Sequence, residues 1–198
     1  MADALILASR SPQRRAILEQ LGVTFTIEVP DVEELAQGEP AAVALENARR
    51  KAAAVVEGGA PPQQDRSPAA GGSVRCVLAV DTVVALDGQL YGKPRDAGEA
   101  AEFLRALSGR EHEVMSAIVL CRGSDERSEV PVTRVRFRTL EPADVDWYVQ
   151  TGEWRERAGG YAIQGRGATL VEAIEGDYGN VVGLPVEALV RLAPGLFR

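Results

Sequence analysis

The acid at position 81 is the first residue to ask chemistry of. It interrupts an otherwise apolar run, Cys76 to Leu86 (CVLAVDTVVAL). An ionised carboxylate in a low-dielectric strand is costly unless it is paired or binds a metal. Asp81 therefore reads as a metal ligand, a general base or half of an ion pair, with a strand-end carboxylate at the surface as the plain alternative. The stretch Pro30 to Glu34 (PDVEE) offers further acids. It reads by itself as a solvated turn, but one of its carboxylates near Asp81 would suit Mg²⁺, which takes one or two protein carboxylates plus phosphate oxygens. Ser9, Ser11, Pro12, Arg14 and Arg15 lie where a short apolar run meets a helix start, with Ser11 as cap and Pro12 in the first turn. Exposed N–H groups, hydroxyls and an arginine at such a junction favour an anion, although a plain capped helix has the same pattern. Lys51 falls on a helix; Lys93 lies between Gly92 and Pro94, just beyond the hairpin that carries Asp81. Gly159 to Gly167 (GGYAIQGRG) allows close backbone approach, and Gln164 offers both donors and an acceptor to a base edge; a structural turn is equally compatible.

Other chemistries are excluded or disfavoured. His112 is the only histidine, so multi-histidine zinc sites are excluded, and before an apolar strand it reads as structural. No serine or cysteine has a patterned histidine partner, and no G-x-x-x-x-G-K-[ST] loop occurs. Cys76 and Cys121 sit in apolar runs and read as buried thiols. The formal net charge of −7 makes the chain a poor general binder of nucleic-acid backbones, while local basic groups still allow small phosphorylated substrates. The N-terminus does not read as a signal peptide, and no run approaches a membrane span, so a cytoplasmic protein without membrane attachment is expected.

The elements that must position these groups follow from periodicity. Strands are expected over Ala4 to Ala8, Thr24 to Val29, Cys76 to Leu86, about Glu113 to Cys121, Glu129 to Arg138 and Ala168 to Ile174. Helices are expected after Ser11, over Pro40 to about Val56, near Ala97 to Leu107, over Pro142 to Gln150, and from Pro185. Asp87-Gly88 signals a two-residue hairpin, and Gly58 to Ser73 a mobile low-complexity loop. In the Glu129 to Arg138 strand, Val132, Arg134, Arg136 and Arg138 share one face, and Thr133, Val135 and Phe137 the other. Mixed elements in this order give an α/β or α+β fold within the 198 residues, as one large domain or two tightly joined lobes.

Taken together, LILASRSPQRRAILEQLGV, VLAVDTVVALDGQLYGKP, LSGREHEV, YVQTGEWRERAGGYAIQG and IEGDYGNVVGLPVEAL resemble the Maf family of nucleotide pyrophosphatases nearly end to end. The resemblance implies a single Maf-like domain over residues 1–198, with an elongated α/β body similar to inosine-triphosphate pyrophosphatases, a mixed sheet and a cleft between two lobes. It implies hydrolysis of a nucleoside triphosphate between the α- and β-phosphates with a divalent metal, Mg²⁺ or Mn²⁺. Asp81 falls on the family's catalytic aspartate, Arg14, Lys51 and Lys93 on its phosphate-handling positions, and Glu34, or Glu33 one residue away, on its metal-associated acid. The branch acting on dTTP and UTP has arginine after Ser-Pro, threonine after the catalytic aspartate and glutamine in the glycine-rich segment. Here those positions hold Gln13, Thr82 and Gln164, so two agree and Gln13 departs. The expected substrates are dTTP and UTP, with modified nucleotides as an extension; a 7-methyl-GTP pyrophosphatase and a non-enzymatic nucleotide-sensing module in septation control are the alternatives. The resemblance also allows a homodimer.

Overall fold

In the computed structural model, residues 5–58 and 75–197 are described. The expected Gly58 to Ser73 loop lies outside them apart from Gly58, which ends a helix, and so does Ala4 of the first expected strand.

The chain is α/β, built on one mixed sheet. Strand β1 (Leu5–Ala8) leads into helix α1 (Pro12–Gln20), and β2 (Phe25–Ile27) follows. Helix α2 (Pro40–Gly58) precedes the long strand β3 (Cys76–Leu86), which turns into β4 (Gln89–Tyr91). The turn residues Asp87 and Gly88 have φ of 51° and 77°, the left-handed pair that a two-residue hairpin requires. Then come α3 (Ala97–Leu107), the second long strand β5 (Glu111–Arg122), β6 (Asp125–Glu129), β7 (Val132–Phe137) and α4 (Pro142–Thr151). Two 3₁₀ turns, β8 (Val171–Glu175), α5 (Tyr178–Val182) and α6 (Val186–Leu192) complete the elements that matter here.

The sheet runs β2-β1-β3-β5-β7-β8, with β4 also on β3 and β6 also on β5. Both long strands change partners along their length. On one edge, β3 pairs in parallel with β1 as far as Ala79 and antiparallel with β4 from Val84 onward. Its other edge is occupied by β5 from Cys76 to Ala85, past the whole of this exchange. On its far edge, β5 pairs with β7 up to Met115 and with β6 from Ile118. The sheet is therefore forked twice, at Val80 to Val83 on β3 and at Ser116 and Ala117 on β5. The register places these forks side by side, with Asp81 opposite Ala117 and Thr82 opposite Ser116.

Helix α2 covers one face of the sheet. Its buried positions Val43, Ala44, Ala48, Ala52 and Val55 pack on Val77, Ala79, Val83 and Ala85 of β3. Two cores share the other face. Leu5, Leu7, Leu78, Val80 and Ile118 meet α1 and α6, whereas Val84, Leu86, Val114, Val135 and Phe137 meet α3 and α4. Between these cores lies a polar layer at Thr82 and Ser116, and this break divides the body into two lobes.

Several expectations are revised. Strand Thr24 to Val29 contracts to β2, the Glu129 to Arg138 strand is divided between β6 and β7, and Ala168 to Leu170 is 3₁₀ rather than strand. The break between β6 and β7 falls at Val130 and Pro131, where proline has no N–H for a ladder. The alternation on β7 is as expected, with Thr133, Val135 and Phe137 buried. Cys76 is buried but Cys121 is only half-buried, and neither forms a disulfide.

His112 is 1% exposed and packs edge-on against Phe137 and Tyr161. Its Nε2 meets Tyr161 Oη at 2.8 Å, while Nδ1 has no hydrogen-bond partner. Burial pushes its pKa down to about 4. Between the ordinary value near 6.5 and about 4, the unfolded chain binds a proton that the folded chain excludes, so stability falls as pH is lowered through that window. The loss should reach about 3 kcal/mol at the acid end. Urea unfolding at stepped pH should show this slope in the wild type and a much flatter one in His112→Phe.

Candidate active site

The open fork on β3 leads into a cleft of about 970 Å³. Its walls take residues from the β1–α1 junction, the Pro30–Ala36 loop, α2, β3 and the 156–161 segment. A cleft just beyond the carboxyl end of a parallel strand, here β1, is the usual binding position in α/β sheets.

Alternation along β3 sends Asp81 and Thr82 to opposite faces. Asp81, 6% exposed, faces α2. Its Oδ1 accepts from Lys51 Nζ at 2.5 Å and its Oδ2 from Asn47 Nδ2 at 3.3 Å. Asn47 and Lys51 stand one helical turn apart on the face of α2 that is otherwise Val43, Ala44, Ala48, Ala52 and Val55. Asn47 also ties the acidic loop in place, accepting from Leu35 N at 2.7 Å and donating to Leu35 O at 3.1 Å. That anchor carries Glu34 to Lys51, Oε1 to Nζ 2.6 Å. Lys51 thus lies between two carboxylates. Desolvation opposes ionisation of Glu34, but the Lys51 hydrogen bond and charge, reinforced by Lys93 and Arg14, hold its carboxyl below the usual range. Of the two acids left open by sequence, Glu34 reaches Lys51; Glu33 contributes its backbone carbonyl to Arg50.

Thr82 faces the polar layer. Its Oγ1 accepts from Arg14 Nη2 at 3.0 Å and shares a 2.8 Å hydrogen bond with Ser116 Oγ. Arg14 is buried and also donates from Nη1 to Ser9 Oγ at 3.0 Å and from Nε to Gly183 O at 2.8 Å. All three acceptors are uncharged. Burial lowers the Arg14 pKa, and the fields of Asp81 and Glu34 oppose that effect. The helix cap is as expected: Ser11 Oγ accepts from Arg14 N at 3.5 Å and donates to Gln13 Oε1 at 3.2 Å. Lys93 reaches into the cleft from beyond β4, 3.8 Å from Glu34 and 3.7 Å from Glu156.

Ser9, Ser11, Gln13, Arg14, Glu34, Lys51, Asp81, Thr82 and Lys93 therefore line one cavity. Gln164 does not. It is exposed at the start of a 3₁₀ turn, in a segment held by Tyr148 Oη, which accepts from Ala162 N, and by Glu153, which accepts from Arg166 N and Gly167 N. Gly167 is obligatory there, because a Cβ would fall 1.7 Å from Ala162 O.

A family model for Maf-like proteins matches residues 4–195. The chain belongs to the Maf-like family. A dTTP/UTP pyrophosphatase of Symbiobacterium thermophilum is 44% identical over 190 residues, covering 95% of this chain and 91% of that protein. Proteins of the same name from Deinococcus radiodurans and Thermus thermophilus are 42% and 44% identical, covering 98% and 95% of this chain and 93% and 92% of theirs.

In this Maf-like chain, sequence reasoning missed groups that act through others. Asn47 was detectable as a polar interruption of the apolar stripe on α2. Asn180 had no local signal: it comes from α5 to fill the second fork, accepting from Ser116 N at 3.1 Å and donating to Val114 O at 2.9 Å and Thr133 Oγ1 at 2.9 Å. Phe103 and Tyr161 add an aromatic wall to the cleft.

Lys51→Met should leave Asp81 buried without its cation. We expect a loss of about 2–3 kcal/mol near neutral pH, below the full cost of a broken buried pair because the cleft admits water. Asp81→Asn in the same chain should restore most of the loss. Urea unfolding of both variants measures this.

Proposed function

We propose that this chain is a nucleoside triphosphate pyrophosphatase that hydrolyses dTTP and UTP to the monophosphate and pyrophosphate. One observation carries the reading: a buried carboxylate, Asp81, is fixed at the open fork of the sheet inside a cleft lined by Arg14, Lys51 and Lys93. The substrate assignment is supported by relatives named dTTP/UTP pyrophosphatase over nearly the whole chain and by Thr82 next to Asp81.

Asp81 positions and deprotonates a water for attack at the α-phosphorus. Arg14 keeps its charge available, because it is held by neutral oxygens rather than by a bound carboxylate. Lys51 and Lys93 neutralise the triphosphate and the negative charge that builds on the leaving pyrophosphate. Asp81 and Glu34 would hold a divalent cation, Mg²⁺ or Mn²⁺. Two oxygen donors converging on Lys51 Nζ fit an ion that takes few protein carboxylates and completes its shell with phosphate and water. When bound, such an ion supplies charge neutralisation on the phosphates and lowers the pKa of the attacking water. Gln164, which the resemblance puts forward as a base-edge residue, lies outside the cleft and is given no substrate contact in this reading. We place the enzyme in the cytoplasm, acting on free nucleotides; among the described residues no helix is long and apolar enough to cross a membrane.

Asp81→Asn should lower turnover by at least ~10²-fold, the low end for a general base, with the fold retained. Near-normal turnover in a folded variant would remove Asp81 from the chemistry. For the wild type, reaction in heavy-oxygen water should place the label in the monophosphate alone. Orthophosphate and a diphosphate as first products would indicate an ordinary phosphatase. In competition, UTP and dTTP should exceed dCTP, ATP and 7-methyl-GTP in kcat/KM, and a preference for 7-methyl-GTP would overturn the pyrimidine assignment.

A further inference from the structure

Arg157 lines the cleft from the wall opposite α1 and has no part in the chemistry above. Its backbone is fixed. Arg157 N donates to Trp154 O at 3.2 Å, and its carbonyl accepts from Gly160 N at 3.1 Å. The following Gly159, at φ 72°, sits so close to Val84 that a Cβ there would fall 2.9 Å from a valine methyl. The guanidinium is directed to α1: Nη1 donates to Gln13 Oε1 at 2.5 Å, the same oxygen that accepts from Ser11 Oγ. Its Nε is buried and has no hydrogen-bond partner. Among the described residues, no carboxylate forms an ion pair with Arg157, in contrast to Lys51, Lys93 and Arg95, which face Asp81, Glu34, Glu156 or Glu99.

A buried guanidinium N–H without an acceptor forfeits its hydration, and a guanidinium has only donors to offer. A cleft cation that is anchored at Nη1, unpaired with any acid and given too few acceptors by the protein itself is arranged to present the outer edge of its guanidinium to an oxygen brought by a ligand. We propose that Arg157 is a nucleotide-binding residue, aimed by Gln13, that completes its hydrogen bonding on an acceptor oxygen of the bound nucleoside triphosphate. This rests on the cleft being the nucleotide site. The oxygen belongs either to a phosphate or to the C4 carbonyl of the base, which uracil and thymine carry where cytosine carries an amino group. Gln13 is then a positioning residue, acting through Arg157 across the two lobes.

The test uses the full chain with Arg157→Met, Arg157→Lys, Gln13→Ala and the Arg157→Met/Gln13→Ala double variant. Calorimetry with metal chelated gives Kd for UTP and CTP without turnover, and kinetics with Mg²⁺ give kcat and KM. In Arg157→Met with unchanged thermal unfolding, Kd and KM for UTP should rise roughly tenfold or more, as for loss of a charged hydrogen bond, with a smaller change in kcat. Gln13→Ala should weaken UTP binding less, and should add nothing once Arg157 is gone. An equal loss for UTP and CTP, largely recovered in Arg157→Lys, assigns the oxygen to phosphate. A loss confined to UTP and not recovered by lysine assigns it to the base carbonyl. Unchanged UTP affinity in the folded Met and Lys variants, or full additivity of Gln13→Ala with Arg157→Met, overturns the proposal. If the wild type binds UTP but releases no pyrophosphate, the pyrophosphatase reading fails while the Kd comparison still decides Arg157. If the wild type binds no UTP, both fail.

Discussion

Two adjacent strands that each exchange one partner for another part-way along set the position of every group in the cleft. A strand edge without a neighbour exposes polar backbone groups that must be satisfied or solvated. On β5 the gap at Ser116 is filled from outside the sheet, by the side chain of Asn180. On β3 the corresponding gap is left open, and the cleft occupies it. The two solutions depend on each other through the Thr82–Ser116 hydrogen bond, which links the filled gap to the open one. The break between the two cores follows from the same geometry, because the polar layer at this level interrupts apolar packing on that face.

The basic groups Lys51, Arg14 and Lys93 of the cleft are in different electrostatic states. Lys51 is largely neutralised by Asp81 and Glu34, and in return it makes their burial tolerable. Arg14 is equally buried yet has only dipolar partners, so its unit charge projects into the cleft. Lys93 is half-exposed between Glu34 and Glu156 and is screened by solvent. A polyanion entering the cleft therefore meets a fixed positive charge at Arg14, while the lysines can exchange carboxylates for phosphate oxygens.

Most of this was legible because single residues broke strong patterns. Asp81 stood out as the one acid in an apolar strand, and the hairpin, the α1 cap and the α2 span followed from turn chemistry and periodicity. What was not legible depends on long-range placement. Asn180 and Arg157 come from segments far along the chain with no local mark of their role. Gln164, in contrast, had a suggestive local setting, but the hydrogen bonds that Glu153 and Tyr148 make to its segment leave it on the outside of the turn. The shortened strands were missed for a related reason: an alternating or apolar run signals an extended chain without saying whether a neighbour pairs along its full length.

The alternation along β3 has a consequence for how such a protein can vary over time. Asp81 and Thr82 serve opposite faces of one strand, and each is met by residues from a different helix. A single-residue insertion or deletion inside the strand would exchange the faces of all that follows, sending the acid into the layer of Arg14 and the hydroxyl against Lys51. Length changes are thus confined to segments beyond the strand's ends, and within β3 itself a lineage carrying this cleft can vary only by exchanging side chains in place.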